Sequence, residues 1–173
     1  MLDDQKNLVC IDDWFSVIAA GCELSTGALQ DLREVGFVVI PGPVVPDGLA
    51  YLVSAYDSAV ACANADDLSE GSTTTRVHDF VNRGPEFDGI YVYQPILEAC
   101  CRIIGQPFKL STLLARTLRP GSRAQGLHVD FKRDAEGWPM IGFIFMVDEF
   151  RRDNGPLVSC RVVTGGPQVQ RSL

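Results

Sequence analysis

The stretch FKLSTLLARTLRPG, residues 108–121, separates two parts of the chain that differ in character. It is rich in residues that favour strands, and it ends at Pro120 and Gly121, a turn signal. Helical patterns precede it, whereas the strand-like segments LHVDF and PMIGFIFMVDEF follow it. Helices followed by strands predict an α+β domain, or a β-sandwich with added helices, and argue against alternating βαβ units.

The part before this stretch, residues 1–105, is predicted to be mainly helical. Ser25 is placed to cap a helix through TGALQDLREV, with Gly36 to end it. FVVIPG after it indicates a short buried strand, a second helix is expected to begin at Pro46, and NADDLSEGSTTT has the composition of a loop. A third helix, QPILEACCRIIG, ends at Gly105.

Composition narrows the possible partners. The 173 residues suit a single domain, and the net charge of -7 comes from acids scattered along the chain, so no basic face is expected for nucleic acid or anionic lipid. No apolar run approaches the roughly 20 residues of a membrane span. Because the first residues are acidic where a signal peptide is basic, we expect a cytoplasmic protein.

The tripeptide His128-Val129-Asp130 has the spacing of a metal site. On a strand, side chains alternate between faces, so His128 and Asp130 would project to one side and the apolar residues between and around them to the other. An imidazole and a carboxylate side by side can supply two ligands of the facial iron(II) site that is built from two histidines and one carboxylate. A surface histidine beside an acid is the simpler interpretation of the tripeptide alone.

Its surroundings resemble the phytanoyl-CoA dioxygenase family of iron(II)- and 2-oxoglutarate-dependent oxygenases. The shared features are a strand ending in Pro-Gly, a Gln three residues before His-x-Asp, and a later strand that leads to an acidic turn and Asn-Gly. In this chain they are Pro120, Gly121, Gln125, His128, Asp130, Val147, Asp148, Glu149, Asn154 and Gly155. The resemblance extends over most of the chain from Ser25 to Gly155.

The resemblance implies N-terminal helices packed on a double-stranded β-helix, or jelly roll, with strands across residues 106–155. It also implies Fe(II) and 2-oxoglutarate as cofactors, and oxidation of a small organic substrate coupled to decarboxylation of the oxo acid. His128 and Asp130 would be metal ligands, and we expect Gln125 and Arg116 to lie at the cofactor. Arg119, on the same strand, is an alternative to Arg116. No residue is assigned a catalytic role.

Family members continue after Asn-Gly with a segment like Ala-Thr-Arg-Phe-Val-Pro-Gly-Ser-His-Arg-Trp, which contains the third iron ligand, followed by an Arg for 2-oxoglutarate. This chain reads PLVSCRVVTGGPQVQRSL over residues 156–173, with no His after His128. Shifted codons can be formed by joining the third base of one residue's codon to the first two bases of the next residue's codon. Across residues 158–166 these shifted codons are compatible with Phe-Val-Pro-Gly-Ser-His-Arg-Trp. We therefore expect residues 156–173 to be an out-of-frame tail, the jelly roll to be incomplete, and the chain to be inactive.

Two alternatives stay open at this stage. The chain could be a non-catalytic jelly-roll binding module with a vestigial or different metal site. It could instead be a cupin-like protein that uses His78 with His128 and Asp130, although a histidine such as His78 is more often satisfied by neighbours in a strand or loop. The sequence does not identify the substrate.

Overall fold

The computed structural model describes residues 13–126, 128, 140–155, 158–161 and 169–172. They form an α+β structure in which every described α-helix precedes the strand at residues 115–118. The α-helices are α1 (Trp14–Ala19), α2 (Thr26–Glu34), α3 (Pro46–Ala61), α4 (Asp88–Tyr91) and α5 (Gln94–Ile104). The strands are β1 (Leu68–Glu70), β2 (Thr74–Val77), β3 (Ala115–Leu118), β4 (Val158–Arg161) and β5 (Val169–Ser172). Short 3₁₀ helices lie at Ala65–Asp67, Phe80–Asn82 and Pro85–Phe87.

The predicted helix ends are confirmed at α2 and α5. The Ser25 hydroxyl accepts a hydrogen bond from the backbone N–H of Ala28 at 3.1 Å, which satisfies one of the free donors of the first turn of α2. Gly36 follows α2 with a φ of 89°, and Gly105 follows α5 with a φ of 75°. Both lie in the left-handed region that glycine adopts without a steric cost, so each can end its helix.

Two local predictions were wrong. FVVIPG is not a strand in the structure: Val38 and Ile40 pack on a core cluster that contains Leu24, Ala28 and Ala99. These apolar side chains are therefore partly buried without a partner strand. The region predicted as a loop, residues 64–75, contains β1 and the start of β2. Its threonines favour extended backbone once a neighbouring strand is present to pair with them.

The main sheet has the order β1-β2-β3, and both pairs are antiparallel. Leu68, Val77 and Ala115 are directly opposite one another in this sheet. Val77 and Ala115 are buried in the larger core cluster, with Leu52 and Ala59 of α3. This face of the sheet therefore covers the core, with α3 against it, and the residues in alternate positions lie on the other face.

Residues 140–155 contain no strand, although the sequence predicts strands there. In this segment Phe143, Ile144 and Met146 are exposed. On one side β3 pairs with β2, and within the described residues its other edge has no partner strand.

The tail contains a separate antiparallel pair, β4 and β5, with Val158 opposite Ser172. No helix in the described ranges combines the length and apolar composition that a bilayer span requires.

A buried carboxylate joins α5 to the connection between α1 and α2. Glu98 is 1% exposed, and its Oε2 accepts hydrogen bonds from the backbone N–H groups of Glu23 at 2.7 Å and Leu24 at 3.0 Å. Its Oε1 accepts from Nε of Arg102 at 2.7 Å, and Arg102 in turn donates to the carbonyl of Gly21 at 2.7 Å. The charge of Glu98 is thus balanced by a cation one helical turn away, as a buried carboxylate requires.

Candidate functional site

The face of the main sheet opposite the core carries a row of polar side chains. Ser69 of β1, Arg76 of β2 and Arg116 of β3 are directly opposite one another. Directly opposite residues share a face, and each of these is adjacent in sequence to a residue of the row that contains Val77 and Ala115. Arg76 is half-buried and Arg116 is exposed. Two guanidinium groups therefore lie on neighbouring strands of a protein whose net charge is -7.

The structure brings together the two residues predicted to lie at the cofactor. The side chain of Arg116 donates a hydrogen bond from its terminal nitrogen Nη2 to Oε1 of Gln125 at 3.2 Å. Between them the chain turns at Pro120 and Gly121, where Gly121 has a φ of 72° and the N–H of Ser122 donates to the carbonyl of Arg119 at 3.2 Å. This contact fixes the segment leading to His128 against the end of β3.

The imidazole of His128 contacts the backbone two residues earlier in the chain. Nδ1 of His128 lies 2.8 Å from the carbonyl oxygen of Gly126. A carbonyl only accepts, so Nδ1 is the donor in this contact. Metal-binding histidines commonly donate their second ring nitrogen to a carbonyl in this way. The other predicted ligand, Asp130, lies outside the described residues.

The second histidine, His78, directly follows β2 and is hydrogen-bonded to neighbouring residues. Nε2 of His78 is 2.8 Å from the Ser69 hydroxyl, and the His78 N–H donates to the carbonyl of Asp67 at 2.9 Å. Its carbonyl accepts from Nε of Arg83, whose Nη2 also forms an ion pair with Asp67 at 2.9 Å. The hydrogen bond from Arg83 is the main cause of a lowered Asp67 carboxyl pKa. These contacts give His78 a structural role at the end of β2.

Arg119, the alternative to Arg116 for binding the cofactor, contacts the turn between β1 and β2 instead. Its guanidinium forms an ion pair with Glu70 at 3.3 Å and donates a hydrogen bond to the carbonyl of Gly71. Its backbone N–H donates to the carbonyl of Thr73 at 3.0 Å. Arg116 is therefore the better candidate of the two for binding a ligand.

The adjacent thiols Cys100 and Cys101 are buried in α5. Burial, with a smaller contribution from Cys101, raises the pKa of the Cys100 thiol to about 12. Burial is also the main cause of a raised pKa at Cys101. Both thiols are thus protonated at neutral pH, and a protonated thiol is a poor nucleophile and a poor metal ligand.

The available donors do not make a complete facial iron site. Such a site takes two histidines and one carboxylate, but His128 and Asp130 supply one of each, and His78 is bonded to Ser69. Within the described residues, no three histidine, cysteine or acidic side chains are grouped so that they could hold a metal ion. The part of the chain that the structure describes therefore shows no complete iron site, and His128 and Asp130 stay predicted ligands.

Arg76 was not predicted from the sequence. In the string TTTRVHDF it has no local signal, because its position opposite Arg116 depends on the register between β2 and β3. Comparisons with protein families, with curated proteins and with solved structures find no significant match.

Proposed function

We propose that this chain is a disrupted form of an iron(II)- and 2-oxoglutarate-dependent oxygenase of the phytanoyl-CoA dioxygenase type, and that it is inactive as written. The observation that carries the proposal is the run of eight consecutive overlapping codons, across residues 158–166, that are compatible with Phe-Val-Pro-Gly-Ser-His-Arg-Trp. The shifted frame begins directly after Asn154-Gly155, where the family segment is expected. It would supply the histidine that the metal motif lacks.

The geometry around the motif supports the proposal. β3 runs into the Pro120-Gly121 turn, and the Arg116–Gln125 hydrogen bond holds the segment that follows. The contact between Nδ1 of His128 and the Gly126 carbonyl is of the kind that metal-binding histidines make with their second ring nitrogen. Under this proposal His128 and Asp130 hold iron in the intact protein, and Arg116 and Gln125 lie close to the oxo acid.

An incomplete jelly roll accounts for two features of the sheet. The edge of β3 that has no partner in the described residues is where a further strand would pair. The exposed apolar side chains of residues 140–147, among them Ile144 at 55% exposure, would be covered by strands that pair with this segment. An open edge beside apolar side chains also favours aggregation, so the chain as written is expected to aggregate more readily than the intact protein.

The proposal predicts that the purified 173-residue protein forms no succinate above background when it is given Fe(II), 2-oxoglutarate and oxygen. Two ligands hold iron weakly, so the oxo acid would not be activated at a defined site. Succinate is measured by NMR against the same chain carrying His128→Ala, which corrects for oxidation by iron in solution. Succinate formation several-fold above that variant would overturn the assignment of an inactive chain. Iron binding that needs His128, without turnover, would instead favour the non-catalytic binding module.

A further inference from the structure

Arg76 and Arg116, on the outer face of the main sheet, carry an inference that extends the proposed function, which places Arg116 close to the oxo acid. Arg76 and Arg116 are directly opposite on antiparallel strands, so their Cβ atoms are expected to lie about 4.5–5.5 Å apart. Like charges in directly opposite positions destabilise a sheet unless an opposite charge lies between them. We infer that Arg76 and Arg116 form a binding site for an oxyanion, a carboxylate or phosphate group of a small molecule.

The acidic residues in β1 and directly before it already form ion pairs with other arginines. Asp67 pairs with Arg83, and Glu70 pairs with Arg119. Glu70 is also adjacent to Ser69 in β1, so it lies on the opposite face from Arg76. Within the described residues neither Arg76 nor Arg116 forms an ion pair, whereas Arg102 and Arg151 do. Neither Asp67 nor Glu70 therefore neutralises the charge of Arg76 or Arg116.

The site is partly organised before an anion binds. Arg116 is oriented by its hydrogen bond to Gln125, and Arg76 is half-buried, so both side chains have lost part of their conformational freedom. The Ser69 hydroxyl lies next to Arg76 in the same row, where it is hydrogen-bonded to Nε2 of His78. A planar guanidinium matches the two oxygens of a carboxylate or phosphate, which sets the ligand class.

The test is a titration of the full chain, without iron, with sodium phosphate or sodium succinate at constant ionic strength set by sodium chloride. The expected result is saturable movement of the Arg76 and Arg116 Nε–Hε signals in NMR spectra. Tighter saturation by phosphate identifies a phosphoryl group as the preferred ligand, and tighter saturation by succinate identifies a carboxylate. Equal effects of chloride, or shifts that never saturate, would overturn the site.

Substitutions separate binding from folding. Arg76→Gln removes the like-charge contact, so without added anion it is expected to raise the melting temperature, while it weakens anion binding at least tenfold. Arg76→Lys keeps the charge but loses the planar fork, and an intermediate affinity is expected. The matched control is Arg33→Gln at the end of α2, which should leave the affinity unchanged. Weakening by Arg33→Gln equal to that by Arg76→Gln would contradict the proposal, whatever the outcome of the oxygenase tests.

Discussion

A single base inserted in codon 155 is expected to convert the present chain, which we predict to be inactive, into one that holds iron and forms succinate from 2-oxoglutarate. The insertion makes each later codon begin with the third base of the present one, which yields the segment with the missing histidine. The third ligand completes the facial site with His128 and Asp130. Loss of even an outer partner of a metal ligand costs about 10–100-fold in metal affinity, so restoring a ligand should tighten iron binding by at least about tenfold.

The measurements are the iron retained after dialysis and the succinate formed with each chain. In the frame-restored protein, His128→Ala should return both to the level of the present chain, because it removes a ligand that the restored segment cannot replace. Arg33→Gln in the restored protein serves as a surface control and should change neither. A frame-restored protein that folds but retains no more iron than the present chain would contradict the proposed function.

The largest expected loss of stability is at Glu98, the buried carboxylate that joins α5 to the α1–α2 connection. Glu98→Ala is expected to lower the free energy of unfolding by about 3 kcal/mol, the lower end of the cost of removing one partner of a buried ion pair, because Glu98 is buried but Arg102 is partly exposed. The backbone N–H groups of Glu23 and Leu24 would lose their acceptor, and the Arg102 guanidinium would lose its counter-charge. The buried N–H of Leu24, left without a partner, is expected to cost about 1–3 kcal/mol of this.

Urea unfolding measures this effect. Glu98→Gln keeps an acceptor oxygen and the shape of the side chain but removes the charge. About half of the loss seen with Glu98→Ala is therefore expected, which is within the range of about 1.5–3 kcal/mol for hydrogen bonds to charged groups. The matched control is Glu34→Ala at the exposed end of α2, where the carboxylate accepts only from Gln30. That change should stay within about 0.5 kcal/mol. A loss below about 1 kcal/mol for Glu98→Ala would show that the cluster does not hold α5 to the α1–α2 connection.

Local signals in the sequence predicted the helices better than the sheet. Ser25 and Gly105 mark helix ends through contacts within one or two turns, so their effect is readable from neighbouring residues. The β1–β2 hairpin was missed because its residues are polar, and its pairing with β3 joins segments about forty residues apart. Glu98 was missed for a similar reason, since two of its partners lie 74 and 75 positions away in the chain.

In the candidate site, too, local sequence signals pointed to some residues, whereas others depend on pairing between distant strands. The Pro-Gly turn, Gln125 and His128 follow one another along the sequence, and motif reasoning found them together. Arg116 and Gln125 are joined by a hydrogen bond, and their place at a cofactor stays a prediction. Arg76 could not be found in this way, because only the register of β2 against β3 puts it opposite Arg116.

The nucleotide sequence of codons 155–166 tests the central claim most directly. We predict that the codon of Val158 ends in T, that of Ser159 in G and that of Val163 in C, so that the shifted frame reads Phe, Val and His at the required places. Cys160 should end in C for the intervening Pro. Codons that forbid the sequence Phe-Val-Pro-Gly-x-His would contradict the account. Residues 156–173 would then be an authentic segment, and His128 and Asp130 would lack the third ligand that the oxygenase assignment requires.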